Sequence, residues 1–221
     1  MLKYLLLLSL LSSVVLAAQK NDMIVTAPVE KYFGDDDVRP SLFKVFASEI
    51  EAIEWYLNGF NSFAAQFRQS NKGEISYGKL FVSKPDKIRC EYLKPLPMLL
   101  IMNDKKITYY DQELDEVSYT NADINALKFL ALSKVNFSRL NLVEIKKDKY
   151  FIDFTMREYS QELKQDFMLT LQFSYPKIEL KQLSLIYEAN EMKLIFDKIS
   201  YNQAFSDKLF YFNRDLLRDR R

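Results

Sequence analysis

Residues 78 to 95, GKLFVSKPDKIRCEYLKP, contain two segments in which apolar and polar side chains alternate, one on each side of Lys84-Pro85. Alternation with a period of two is typical of β-strands that have one buried and one hydrated face. Similar segments fill most of the chain. They lie at 62–69, 75–82, 87–93, 98–102, 105–111, 116–120, 150–158, 165–174, 177–188 and 191–200. The short connections between many of them favour antiparallel neighbours.

Two other segments repeat their apolar residues at helical spacing. The first predicts a helix over 42–58 that ends at Asn58-Gly59, and ADINALKFLALSK predicts a second helix over 122–134. Two helices cannot cover a sheet of nine or more strands, and so large a sheet usually curls. We therefore predict an α+β fold. It is a strongly curved antiparallel β-sheet, an incomplete and unclosed barrel, with α-helices covering a concave hydrophobic cavity.

The first 17 residues have the organisation of a secretory signal peptide. Lys3 supplies the positive start, residues 4–16 are apolar apart from serines, and cleavage is expected after Ala17, with Ala18 as the alternative. The apolar run is short for a membrane span, although an uncleaved anchor is the competing interpretation. The mature chain is expected to be exported. Its predicted parts are a flexible extension at 18–41, one domain at 42–213 and a charged tail at 214–221.

Charge and cysteine content exclude several classes of protein. The 31 basic and 30 acidic residues become equal in number once Lys3 is removed, which argues against a nucleic-acid partner. The single cysteine, Cys90, cannot form an internal disulfide, so packing alone must hold this exported fold together. Only 4 glycines are present, which excludes a glycine-rich phosphate loop of the usual kind.

Residues suited to catalysis are scarce. The chain has no histidine, which removes Ser-His-Asp and Cys-His catalysis and histidine metal ligands. Cys90 lies in mid-strand and is interpreted as a buried, inert thiol. Asp115-Glu116 resembles a glycosidase carboxylate pair, but adjacent side chains point in opposite directions, which favours a solvated turn. Asp35-Asp36-Asp37 lacks the spacing of a calcium loop. We predict no enzyme activity, no cofactor and no metal.

The chain is instead rich in bulky, soft side chains, with 17 Phe, 14 Tyr and 7 Met. These residues suit an ordinary core, but they also suit a cavity wall that packs loosely against flexible acyl chains. The pattern alone does not decide between the two.

The region from Trp55 to Tyr110 resembles the outer-membrane lipoprotein carrier family, LolA. The matching stretches are FNSFAAQFRQ, then GKLFVSKPDKIRCEYLKP with its basic residue before proline, then MLLIMNDKKITYYDQELDEV. At the far end YNQAFSDKLFYF is similar to the family's closing segment, so the resemblance covers residues 47–212. The family's arginine before the proline is Lys84 here, and its usual tryptophan is Cys90.

The resemblance implies a periplasmic shuttle. It would bind acylated lipoproteins from an inner-membrane exporter and deliver them to an outer-membrane receptor, as a monomer. One exposed chain of about fourteen methylenes costs ~11 kcal/mol in water, so a carrier must cover that surface and still release it. A competing hypothesis is a periplasmic sensor of the same fold that detects mislocalised lipoprotein. A small envelope hydrolase is a third.

The resemblance also implies roles for individual residues. Lys84 would replace the arginine that hydrogen-bonds the helical lid and closes the empty form, with a less organised set of donors. The underside of the lid is expected to consist of Leu127, Leu130 and Ala131. Arg89 and Glu91 would face solvent on the convex side. The expected acyl-chain cavity is lined by Phe63, Ala65, Phe67, Leu80, Val82, Ile88, Cys90, Tyr92, Leu99 and Ile101.

Overall fold

The computed structural model describes residues 39–71, 73–93, 97–104, 106–121, 126–160, 165–188 and 190–214. The expected signal peptide, most of the expected N-terminal extension and all but one residue of the expected tail lie outside these ranges. The described part contains eleven β-strands. They are β1 (Ser62–Asn71), β2 (Glu74–Ser83), β3 (Lys87–Tyr92), β4 (Met98–Asn103), β5 (Lys106–Asp111), β6 (Glu116–Asn121), β7 (Leu142–Lys147), β8 (Phe151–Ser160), β9 (Gln165–Ser174), β10 (Glu179–Tyr187) and β11 (Asn190–Tyr201).

The strands form one hydrogen-bonded sheet in the order β6-β5-β4-β3-β2-β1-β11-β10-β9-β8-β7. Strands that are consecutive in the sequence pair antiparallel, both from β2 to β6 and from β7 to β11. The order has two ends, at β6 and β7, so the sheet does not close on itself. The prediction of a large, unclosed antiparallel sheet with few helices is confirmed, and ten of its strands were predicted from the sequence.

The eleventh strand, β7, was not predicted from the sequence. Its sequence is LVEIKK, and only Leu142 and Ile145 are buried within it. The pairing of β7 with β8 shifts register between Leu142 and Glu144. A bulge of this kind inserts one extra residue, so two inward side chains are three positions apart and the period of two is lost.

The helices differ from the predictions in length and type. The segment predicted as one helix over 42–58 forms α1 (Arg39–Val45) and α2 (Ala47–Asn58), with a bend at Phe46. The prediction of an α-helix over 122–134 is wrong in its described part, which forms a 3₁₀ helix at Ala126–Ala131 and then irregular chain. Its neighbour, Phe137–Arg139, is also a 3₁₀ helix. Tight 3₁₀ turns rarely extend beyond a few residues, because their hydrogen bonds have poorer geometry.

The described chain forms two compact units, and the first comprises the chain up to Tyr56 together with Gln69–Ile75 and Asn136–Ile195. Its core is built by β8 to β10 and by one side of α2. The Tyr56 ring packs edge-to-face on Phe173 at 5.9 Å, and its hydroxyl accepts a 2.9 Å bond from the Leu180 amide. Phe137 stacks on Phe154 with ring centroids 4.8 Å apart. Aromatic contacts of this kind add to the burial of their area.

The second unit comprises Leu57–Arg68, Ser76–Val135 and the chain from Phe196 onward. Strands β3 to β6 lie within it, with the N-terminal part of β1 and most of β2. Residues of this unit form two packed faces, which we describe with the candidate site. No helix among the described residues has the length and apolar character needed to cross a membrane.

Gly78 in β2 provides a test of how closely the second unit is packed. A Cβ atom at this position would collide with the Phe67 ring and lie 2.5 Å from the carbonyl oxygen of Glu91. We expect Gly78→Ala to lower the free energy of unfolding by about 1–3 kcal/mol, because the backbone of β3 would have to move. Urea denaturation monitored by circular dichroism measures this change. Lys79→Ala, at the exposed neighbouring position, is the control. Equal stability of the two variants would contradict the close approach.

Candidate functional site

The register of the second unit defines one face of its strands, which we call the Cys90 face. Leu80 is paired with Cys90, and Val82 with Ile88, so these four side chains lie side by side. The Phe67 ring meets the Tyr92 ring edge-to-face at 5.2 Å, which places the alternating residues of β1 on the same face. Eight residues of the expected cavity therefore share this face. They are Phe63, Ala65, Phe67, Leu80, Val82, Ile88, Cys90 and Tyr92, and all are buried.

The expectation for Leu99 and Ile101 is wrong. These residues pair with Glu91 and Arg89, so they lie on the opposite face of the strands, which we call the Arg89 face. Cys90 and Ile88 pair instead with Leu100 and Met102. All five residues of 98–102 are buried, so β4 is apolar on both sides and its sequence contains no alternation that reveals orientation. Ile107 and Tyr109 of β5 continue the Cys90 face.

The expectation that Arg89 faces solvent is also wrong, since only 6% of Arg89 is exposed. Its Nε donates to Glu91 Oε1 at 2.6 Å, and Nη1 donates to the carbonyl oxygen of Leu209 at 3.1 Å. Leu209 belongs to the 3₁₀ helix Asp207–Phe210, which contacts β3 and β4. A buried guanidinium needs such partners, because an unpaired buried charge is strongly destabilising.

The C-terminal segment completes the cover of the Arg89 face. Phe212 packs against the cluster of Leu99, Ile101 and Tyr110, and its ring centroid lies 5.1 Å from that of Tyr110. Phe205 contacts Phe81 edge-to-face at 5.8 Å. This segment has neither helical nor strand periodicity, so sequence patterns gave no indication of where it packs. The Arg89 face is thus part of a packed core.

The 3₁₀ helix Ala126–Ala131 lies against β3, and we call it the cover of the Cys90 face. This helix contacts β3, whose other side is occupied by the C-terminal 3₁₀ helix, so we assign it to the Cys90 face. The predicted lid residues Leu127, Leu130 and Ala131 are all buried. The amide of Asp86 donates to the carbonyl oxygen of Ala131 at 2.9 Å. The predicted lid residues therefore lie in a helix that contacts β3, as the resemblance implied.

Asn58, the last residue of α2, fastens the chain that follows this 3₁₀ helix. Its Nδ2 donates to the carbonyl oxygen of Val135 at 2.9 Å, and its Oδ1 accepts from the Val135 amide at 2.8 Å. Such a reciprocal pair fixes both the position and the orientation of the segment. In the sequence, Asn58-Gly59 predicts only the end of a helix, and no local pattern indicates this contact with Val135.

Lys84 lies in the turn after β2, where it contacts the C-terminal end of α2. Its Nζ donates to the carbonyl oxygen of Leu57 at 2.5 Å and lies 4.2 Å from the centroid of the Phe60 ring. Both contacts favour a cation, since the helix end carries partial negative charge and the ring face is negative. Burial nevertheless lowers the pKa of this ammonium from 10.5 to about 8.

The hydrogen bond of Lys84 differs from the one expected. The resemblance implied a bond to the lid predicted at 122–134, whereas the Lys84 ammonium binds α2. The lid segment is instead held by the backbone of Asp86, two residues further on. One short turn therefore attaches to both the end of α2 and the 3₁₀ helix Ala126–Ala131.

Cys90 has the environment of a structural thiol. It is fully buried, and burial raises its pKa, which disfavours the reactive thiolate. Tyr92 on the same face also has a raised pKa, chiefly because of burial. No group of three or more potential metal-binding side chains is present within the described ranges. The groups on this face offer apolar contact rather than acid, base or nucleophile.

The first unit contains a groove that the sequence analysis did not predict. It encloses about 530 Å³ between one side of α2 and the turn before β10. Trp55 lies in it and is 79% exposed. The lining consists of Ser48, Glu51, Ala52, Trp55, Tyr56, Lys177 and Ile178.

Proteins with similar sequences include carriers of lipoproteins. The family described as outer membrane lipoprotein carrier protein LolA matches residues 58–213, which is more than half of the chain. The chain therefore belongs to the LolA family. The family resemblance inferred from the motifs around Lys84 is thereby confirmed.

Individual relatives differ in how much of the chain they match. Uncharacterized protein RP864 of Rickettsia prowazekii (strain Madrid E) is 31% identical over 158 residues, which cover 71% of this chain and 73% of that protein. The outer-membrane lipoprotein carrier protein of Chromobacterium violaceum is 34% identical over 76 residues, or 33% of this chain and 37% of its own. A putative outer membrane lipoprotein-sorting protein domain from Vibrio parahaemolyticus has a TM-score of 0.45 at 10% identity, covering 78% of this chain and 97% of that one.

The lowered pKa of Lys84 predicts a pH dependence of stability. Between about pH 8 and its ordinary value of 10.5, the folded protein has released a proton that the unfolded chain still holds. Unfolding takes up a proton in this window, so the free energy of unfolding should rise with pH there. The Lys84 contribution to the melting temperature, taken as wild type minus Lys84→Met, should become more favourable as pH rises through it. Solvent around the half-buried ammonium reduces the size of this effect.

Lys79→Met is the matched control, because Lys79 is exposed on β2, the strand that leads into the Lys84 turn. Its difference from wild type should show no comparable trend. A Lys84→Met difference that stays constant with pH would contradict the desolvation of the Lys84 ammonium.

Proposed function

We propose that this protein is a periplasmic carrier that binds the acyl chains of lipoproteins released from the inner membrane and delivers them to an outer-membrane receptor. Membership of the LolA family supports the carrier role. One structural observation carries the proposal further. The Cys90 face is an apolar surface that runs across five neighbouring strands, and hydrogen bonds at a few identified positions attach its cover.

Acyl chains would bind along the Cys90 face. One chain of about fourteen methylenes gains ~11 kcal/mol when it leaves water, at ~0.8 kcal/mol per methylene. The wall that we propose keeps the eight predicted residues of β1 to β3 and replaces Leu99 and Ile101 by Leu100 and Met102. Met102 is a suitable contact, because an unbranched thioether adapts to ligands of variable shape.

Binding requires the cover to move, since the residues of this face are buried. The bonds that would open are those of Asp86 to Ala131 and of Asn58 to Val135. A hydrogen bond contributes about 0.5–1.5 kcal/mol net, so breaking these three costs much less than the acyl chain gains. The Leu127, Leu130 and Ala131 side chains would then contact the ligand from above.

Lys84 would favour the empty state by holding the end of α2. A lysine offers a single rotatable ammonium where the family has a planar guanidinium, so the closed form has fewer simultaneous bonds to break. The signal peptide at 1–17 would direct the chain to the periplasm, where an exporter and a receptor would exchange cargo with the monomer.

Cargo identification tests this function most directly. We expect the mature protein, purified from the envelope fraction of cells that produce it, to carry acylated lipoproteins detectable by mass spectrometry. Val82→Glu should lose them, because a carboxylate on the Cys90 face opposes apolar contact. Lys79→Glu adds a carboxylate to the exposed side of the same strand and should retain cargo. Circular dichroism verifies folding, and a folded Val82→Glu variant with full cargo would refute the proposed surface.

Asn58→Ala tests the cover. Loss of both bonds to Val135 should increase hydrogen exchange in residues 126–135 and accelerate uptake of a fluorescent fatty acid, by about five- to tenfold for ~1 kcal/mol. Asn103→Ala is the control, because its side chain donates instead to the carbonyl oxygen of Phe210, at the other cover. Unchanged uptake and exchange in Asn58→Ala would show that this contact does not limit opening.

A further inference from the structure

Two adjacent turns of the first unit present aromatic side chains to solvent. The turn between β7 and β8 leads into β8 with Tyr150, which is 61% exposed, and with Phe151, which is also exposed. Phe151 pairs with Ser174, the last residue of β9, so the turn between β9 and β10 lies beside the first turn. The amide of Tyr175 in that second turn donates to the carbonyl oxygen of Tyr150 at 2.7 Å.

Trp55 extends this aromatic surface. It belongs to α2 and lines the groove of the first unit together with Lys177 and Ile178, which follow Tyr175 in the second turn. Scattered exposed apolar side chains are ordinary on a protein surface, whereas a contiguous group marks an interaction site. We call this group the aromatic tip. It consists of Trp55, Tyr150, Phe151, Tyr175 and Ile178, all within the first unit.

The charged groups around the aromatic tip direct their positive ends outward. In the ion pair of Lys147 with Glu49, the side chains are 28% and 13% exposed. In the pair of Lys177 with Glu179, they are 86% and 36% exposed. The carboxylate of Asp148 accepts hydrogen bonds from two backbone amides of its own turn. Ammonium groups are therefore the outermost charges of these pairs, which suits a partner with anionic groups.

Lysines also lie directly over the rings. The Lys147 ammonium is 4.1 Å from the centroid of Tyr175, and that of Lys149 is 5.3 Å from the centroid of Tyr150. The groove itself contains one acid, Glu51, and one base. Lysine is depleted at the centres of protein–protein interfaces. Rings with one wet edge, mixed with lysines whose stems cover apolar surface, are instead typical of the membrane–water interface.

We propose that the aromatic tip binds the surface of an anionic phospholipid bilayer. The rings of Trp55, Tyr150 and Phe151 enter the headgroup region, and the ammonium groups of Lys149 and Lys177 contact lipid phosphates. This activity goes beyond the carrier function and does not depend on acyl chains binding to the Cys90 face. It holds the first unit at a membrane surface without a membrane-spanning segment.

Trp55 is the only tryptophan of the sequence, so its fluorescence reports directly on the aromatic tip. With vesicles of equal parts phosphatidylglycerol and phosphatidylcholine, we expect emission of the mature protein to shift to shorter wavelength and brominated acyl chains to quench it. Vesicles of phosphatidylcholine alone should bind about tenfold more weakly, because they lack net negative charge. An unchanged Trp55 emission, or equal binding to both vesicles, would overturn the inference.

Paired variants locate the contact. Tyr150→Ser should weaken co-sedimentation with the anionic vesicles about tenfold, because a buried aromatic ring is lost from the interface. Tyr159→Ser is the matched control. Tyr159 is 53% exposed and lies near the other end of β8, roughly 25 Å along the strand, so this variant should bind like wild type. Lys149→Gln should reduce the preference for anionic vesicles.

Circular dichroism verifies that each variant is folded. Full binding by folded Tyr150→Ser, or an equal loss in Tyr159→Ser, would show that the aromatic tip is not the contact. Neither result bears on the carrier function, which concerns the Cys90 face of the second unit and is tested by its cargo.

Discussion

The register of β3 between its two neighbours is the constraint on which the rest of the second unit depends. The pairs of Leu80 with Cys90 and of Cys90 with Leu100 collect apolar side chains from three strands on one face. A shift of one residue would exchange them for Arg89 and its partners, because the side-chain period is two. The same register therefore separates the surface that we propose for ligand binding from a core that the C-terminal segment fills.

Both units contain ionisable groups in apolar surroundings. Lys84 and Glu158 are shifted toward their neutral forms by loss of water, downward in pKa for the lysine and upward for the glutamate. The carbonyl oxygen of Leu57 and the ring of Phe60 partly replace the water that the Lys84 ammonium has lost. The described residues offer Glu158 no such substitute.

The covers of the second unit also differ in chemistry. Arg89, Leu209 and the aromatic contacts of Phe205 and Phe212 hold the C-terminal segment on the Arg89 face. On the opposite face, the 3₁₀ helix Ala126–Ala131 buries apolar side chains and accepts one backbone bond from Asp86, and Asn58 bonds Val135 in the chain that follows it. Hydrogen bonds can re-form with water when they open, whereas a desolvated guanidinium and packed rings cannot separate so cheaply. The asymmetry is consistent with opening on the Cys90 face.

The sequence by itself determined ten of the strands, the family, and the shared face of β1 to β3, because alternation is strong where one side of a strand is apolar. It could not orient β4, which is apolar on both sides, and it missed β7, whose bulge interrupts the period. The burial of Arg89 and the 3₁₀ form of Ala126–Ala131 were decided only by tertiary structure. Both depend on partners distant in sequence or in neighbouring strands, and no local pattern encodes such contacts.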